Sequence, residues 1–148
     1  MLLLTRSTRL LLGLALAACT SATAPSAPDA TPVPPGPPPP PGSGVTGNFV
    51  GVGHTGQGSV QFTVQNGVGR LDFSANFQVT PVPGPFVYLT TTTNPNSGTP
   101  LRVAALKSNN GAQTYSFQLP AGVSYTYVLV WCDPNNVPVA QATIPPTP

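Results

Sequence analysis

GVGHTGQGSVQFTVQ, Gly51–Gln65, decides the fold, because its glycines admit two readings. Gly51, Gly53 and Gly56 satisfy G-x-G-x-x-G, and Asp72 lies near the distance expected of a ribose-binding carboxylate. That fingerprint binds a pyrophosphate where a strand precedes it and a helix succeeds it, since the helix N-terminus supplies the amides and the dipole. Here the glycines lead instead into Val60, Phe62 and Val64 alternating with Ser59, Gln61, Thr63 and Gln65, the pattern of a strand with one wet face. Upstream stands a proline tract and not a βα unit. The stretch predicts a flexible turn between two strands with His54 at its tip, and no dinucleotide site.

The same alternation continues outward. NFVGV, SVQFTVQ, RLDFSANFQV, FVYLTT, LRVAAL, TYSFQL, YTYVLVWC and VPVAQAT read as about eight short strands. Asn66-Gly67, Pro83-Gly84, Asn96-Ser97-Gly98, Asn110-Gly111, Ala121-Gly122 and Asp133-Pro134-Asn135-Asn136 supply the turns between them. Tyr127–Cys132 is apolar on both faces, which marks a central strand, with Trp131 and Cys132 pointing in opposite directions. The predicted fold is all-β, an antiparallel β-sandwich over residues 47–145 with a short tail at 146–148. About a hundred residues make one domain.

Residues 1–18 have the layout of a secretory signal: Arg6 and Arg9, then the apolar run LLLGLALAA, too short to span a bilayer. Leu16-Ala17-Ala18-Cys19 resembles the bacterial lipobox, which makes Cys19 the expected lipidation site and the membrane a partner. The absence of an acidic residue beside Cys19 favours the outer membrane. Residues 19–46, rich in proline, read as a disordered, lipid-anchored spacer with almost nothing to bury. With the leader removed, Arg70, Arg102 and Lys107 balance Asp29, Asp72 and Asp133, so the formal +2 of the whole chain belongs to the leader. No basic patch remains to release counterions, which excludes nucleic acid as a partner.

GNFVGVGHTGQGSVQF, LDFSANFQVTPVPGPFVYLT and LKSNNGAQTYSFQLPAGVSYTYVLVWCDPNNVPVAQATI, in that order, resemble the successive blocks of the electron-transfer DM13 domain. The matching positions are His54, Gly84-Pro85, Leu106-Lys107, Asn110-Gly111, Leu119-Pro120 and Trp131-Cys132. The resemblance implies extracytoplasmic electron transfer through the cysteine, either as a free thiol or as a ligand of a prosthetic group such as haem. It also implies an envelope redox protein as partner. This chain departs from the family pattern in having Phe86 where an acidic residue is usual, and Asn135, Asn136 and Val139 where aromatic residues are.

Read from the residues themselves, Cys132 has two meanings. With Cys19 acylated it is left without a disulfide partner in an oxidising compartment, so it is either used or shielded. A thiolate needs a nearby cation or helix N-terminus, and the local sequence places Asp133 beside it instead. A small buried hydrophobe under Val128 and Val130 is the plainer reading. His54, the sole histidine, is either a second axial ligand or proton carrier, or a solvated turn residue. The chain has no Glu, which disfavours paired-carboxylate hydrolysis, and Cys132 with His54 is too few ligands for a zinc site. The expected function is a redox accessory acting through Cys132 rather than a stand-alone enzyme. The alternative is a non-catalytic binding or structural lipoprotein in which Cys132 is core.

Overall fold

The alternation of apolar and polar residues determines which side of each strand is buried. A computed structural model describes residues 23–40 and 44–146 and, among them, ten strands and no helix. These are β1 (Val45–Gly51), β2 (Gly56–Gln57), β3 (Ser59–Gln65), β4 (Val68–Phe73) and β5 (Gln78–Val79), then β6 (Pro85–Thr90), β7 (Leu101–Ala105), β8 (Gln113–Gln118), β9 (Tyr127–Cys132) and β10 (Val137–Thr143). In β4, Leu71 and Phe73 point inward while Arg70 and Asp72 do not; in β8, Tyr115 and Phe117 alternate with Thr114 and Ser116 in the same way. The eight strands expected from the sequence form one antiparallel sheet in the order β7-β6-β9-β10-β1-β3-β4-β8. The run RLDFSANFQV divides, its second half contributing β5, which pairs with β2 in a separate two-stranded ribbon.

The sheet folds into two layers because β1 serves both. Val45 to Asn48 pair with β3, and Phe49 to Gly51 pair with β10. The layers close over a core in which Phe49, Phe73, Phe77 and Tyr115 stack at centroid distances of 4.7 to 5.4 Å. Asn66 and Gly67, both with positive φ, make the two-residue turn whose twist matches the flanking strands β3 and β4. In β9, Val128, Val130 and Cys132 face the core. Leu129 and Trp131 face outward and join Tyr88, Phe86, Tyr127 and Ala27 in a second, smaller cluster. That cluster is why both faces of β9 are apolar.

One expectation is corrected here. The proline-rich residues do not all form a free spacer with nothing to bury, because residues 28–33 lie as an extended strap between the two edge strands. Arg102 N–H donates to the Pro28 carbonyl (2.8 Å) and Ala30 N–H to the Arg102 carbonyl (2.7 Å) on β7. On β8, Gln118 N–H donates to Thr31 (2.9 Å) and Val33 N–H to Ser116 (2.9 Å). Ala30 is 8% exposed and belongs to the core. The physical reason is the edges: β7 and β8 each present unpaired amides and carbonyls, and a segment that satisfies both removes two edges at once. Pro28 and Pro32 fit because neither is asked for an amide hydrogen. The prolines after Val33 continue across the outer face of β8, β4 and β3, where Arg70 reaches the Gly36 carbonyl (3.3 Å). The expected signal at 1–18 and the lipidation site Cys19 lie outside the described residues.

Candidate functional site

Cys132 is the last residue of β9, and backbone pairing fixes its surroundings. It stands opposite Pro85 on one side and Val137 on the other. Its side chain is 0% exposed, and its thiol donates to the carbonyl of Pro83 at 3.1 Å. Pro83 belongs to the loop between β5 and β6, which is tied over the strand end by Asp133 N–H donating to Gly84 (3.2 Å). Gly84 has a φ of 52°, and a Cβ there would lie 2.9 Å from the Pro134 ring, so the loop packs against the following turn only because the residue is glycine.

Asp133 points to the other side of the sheet and is 4% exposed. Its carboxylate accepts from the Tyr88 hydroxyl (2.8 Å) and from Arg102 Nε and an Arg102 terminal nitrogen (2.9 and 2.8 Å). Arg102 also pairs with Asp29 of the strap at 3.0 Å, and its guanidinium lies 3.3 Å from the centroid of Phe86. Burial would lower the guanidinium's pKa, but the bonds to Asp29 and Asp133 outweigh it and raise it. Burial, and then the neighbouring Asp133 carboxylate, raise the Tyr88 phenol well above its ordinary value. Trp131 completes this outer side, donating from its indole nitrogen to Asn136 (3.1 Å), which also receives Asn96 (2.9 Å). Phe86, standing where the family resemblance implies an acidic residue, supports Arg102, and Asp133 provides the carboxylate.

His54 is half-buried in the turn after β1 and makes no hydrogen bond or ion pair among the described residues. The turn is tight because Gly51 approaches His54 so closely that a Cβ on Gly51 would lie 1.9 Å from the His54 carbonyl oxygen. The glycines therefore serve a hairpin. Asp72 is engaged by Arg70 (2.7 and 2.8 Å) and by Thr114 (2.6 Å). Thr55, next to His54, is bonded to Thr80, and Pro83 to Cys132, so the two candidate residues flank one loop at the same end of the sandwich. No hydrogen bond joins them. Among the described residues no group of three or more His, Cys, Asp or Glu converges to hold a metal ion.

A haem does not fit the arrangement around Cys132. The sulfur is enclosed in a packed core and occupied by a carbonyl, and the depression of about 520 Å³ beside His54 is lined by Gly51, Thr55, Gly56, Gln57 and Gln78 and not by Cys132. The residues sequence reasoning did not connect are Tyr88, Arg102, Asp133 and Asp29. Asp133 at the head of the post-strand turn was the available signal, since a carboxylate at the end of a buried strand needs a partner.

A family model described as Electron transfer DM13 matches residues 48–144. No curated protein and no solved structure matches the chain.

Proposed function

The chain belongs to the electron transfer DM13 family, and from that premise we propose that it is a lipid-anchored redox accessory of the bacterial envelope, held by Cys19 and acting through the free thiol of Cys132. The family gives the redox role. The observation that carries the choice of residue is the sulfur's single polar partner, the Pro83 carbonyl at 3.1 Å, because that carbonyl belongs to one short loop at a strand end. Lifting this loop frees the thiol and leaves both layers in place. The exposed thiolate then attacks the disulfide of an envelope redox protein. The partner's S–S bond breaks, a mixed disulfide forms on Cys132, and the partner's departing sulfur takes up a proton. His54, across the same loop, is the candidate proton carrier. No step runs through haem.

The full burial of Cys132 favours a second reading, a binding or structural domain in which the thiol is core. Maleimide labelling of the native chain as a function of urea separates the two. Local opening of the Pro81–Gly84 loop gives a labelling rate nearly independent of urea well below the unfolding midpoint. A rate that tracks global unfolding at every urea concentration rejects the redox reading and leaves the structural one.

A further inference from the structure

We infer that the slot between β7 and β8 is an interface between copies of this chain: the strap of a second copy takes the place of the chain's own, and two domains that exchange straps join as a dimer. The occupant is defined by the strap itself. It uses amide hydrogens at only two positions, Ala30 and Val33, and offers the carbonyls of Pro28 and Thr31. Side chains add three demands. Asp29 reaches Arg102 (3.0 Å), Ala30 fills a place in the core, and Ala27 packs against the Tyr88, Leu129 and Trp131 cluster. A larger side chain at position 30 would have to displace that core. Residues 27–33 meet all of these demands, and every copy of the chain carries them. The slot lies inside the family match and its occupant outside it, so the two are separable parts.

The connector after the strap does not confine it to its own domain. Val33 is bonded to Ser116 on β8, and Gly44 lies against Phe62 and Thr63 on β3, so the closed form spans three strand spacings, about 14 Å. Eleven Cα steps separate the two residues and reach about 36 Å when extended. A strap that has left its slot therefore has chain to spare for the slot of an adjoining domain.

The hold on the strap is light enough for it to leave. Four main-chain hydrogen bonds and an ion pair in which the Asp29 side chain is 73% exposed are set against the ordering of six residues. Departure bares two strand edges, the feature that pairs most readily with another chain. Reciprocal exchange then remakes every bond of the closed form in both copies, so the contacts favour neither form and chain concentration sets the balance. A short tether holds its own segment at an effective concentration on the order of 1 mM, so closed chains prevail in dilute solution and exchanged pairs form as that density is approached.

The test uses residues 19–148 with Cys19→Ser, which keeps strap, connector and domain together and leaves buried Cys132 as the native thiol. Thr31 and Gln118 are exposed and lie opposite each other, the Gln118 amide donating to the Thr31 carbonyl (2.9 Å). A chain with Thr31→Cys is mixed with one bearing Gln118→Cys and mildly oxidised at about 1 mM; the covalent heterodimer should form roughly tenfold faster than with a partner bearing Asn135→Cys, an exposed thiol in the turn after β9. Both changes in one chain, oxidised while dilute, lock the strap in its own slot. The locked chain should stay monomeric by light scattering at concentrations where the parent forms dimers. Equal rates with the two partners overturn the inference, because collision alone then makes the link. A parent that remains monomeric above about 1 mM overturns it as well, and so does a locked chain that dimerises as the parent does. A peptide of residues 26–34 should slow the trapping, and the same peptide with Ala30→Leu should not; equal competition would assign the slot to any extended segment and refute the second copy as its occupant.

Discussion

Deletion of Pro34–Pro41 separates a docked strap from a free spacer, because the two arrangements demand different lengths of chain. Val33 lies level with Ser116, Ser116 is paired with Arg70, and Arg70 with Thr63. Gly44 lies against Phe62 and Thr63. The path from Val33 to Gly44 is therefore almost purely lateral, three strand spacings from strap to β3, or about 14 Å. After the deletion only Gly42 and Ser43 remain between Val33 and Gly44, and three Cα steps of 3.8 Å span at most about 11 Å. The strap must leave its slot. Four main-chain hydrogen bonds at about 1 kcal/mol net, and a partly exposed ion pair worth less than about 1 kcal/mol, are then lost. The ordering entropy of six residues, about 1 kcal/mol each and less for the two prolines, is recovered. The losses of about 4–5 kcal/mol and the recovered entropy of about 5 kcal/mol nearly cancel, so Tm should move by no more than a few degrees. The sharper assay is amide exchange, since Arg102 and Gln118 donate to the strap and should lose protection while β9 keeps its own. A chain in which a Gly-Ser segment of equal length replaces Pro34–Pro41 should keep both amides protected. Retained protection in the shortened chain would refute the docking geometry.

Arg102→Met should destabilise by about 3 kcal/mol, because it leaves the Asp133 carboxylate buried beside Tyr88 with its cation gone; chemical denaturation measures this, and the double change with Asp133→Asn should cost less than Arg102→Met alone. Cys132→Ala should cost about 1–2 kcal/mol from lost packing, and, if the proposed thiol exchange holds, should also abolish mixed-disulfide formation with a small disulfide probe on the native protein. Burial raises Tyr88, Tyr115 (to about 12) and Tyr125, so the folded chain keeps these phenolic protons to higher pH than the unfolded chain does. Their contribution to stability is complete below about pH 10 and declines as pH rises beyond it; melts followed by Trp131 fluorescence from pH 8 to 12 should show the loss, and Tyr88→Phe should flatten it.

Strands were legible in the sequence because each carries its own alternation. Leu71 and Phe73, or Tyr115 and Phe117, announce an inner face without reference to any partner, and Asn66-Gly67 announces its turn. The illegible part depends on residues far apart in the chain. Prolines at positions 28, 32, 34, 35 and 37 to 41 carry the composition of an unpaired segment, and composition says nothing of whether two open strand edges happen to need a third strand. The deciding contacts join Pro28 to Arg102 and Thr31 to Gln118, separations that no local pattern encodes.

The candidate site divides along the same line, and the division bears on what Cys132 can do. Its direction, opposite to Trp131, comes from the two-residue period of β9. Its chemistry turns on the partner of Asp133. Sequence adjacency places a carboxylate beside the thiol, yet the strand turns that carboxylate to the outer side, where Arg102 and Tyr88 occupy it. The sulfur on the inner side meets apolar residues and one carbonyl. Asp133 and Arg102 are paired with each other on the outer side, and the sulfur's polar partner is the Pro83 carbonyl. On the proposed thiol exchange, the Pro81–Gly84 loop is the element that gates the sulfur. A change that loosens this loop without touching the core, Gly84→Ala against the Pro134 ring, should therefore speed labelling of Cys132 at low urea more than it lowers global stability. Labelling that accelerates only in proportion to the loss of global stability would show that the thiol opens with the whole sandwich, and the loop would then have no part in gating it.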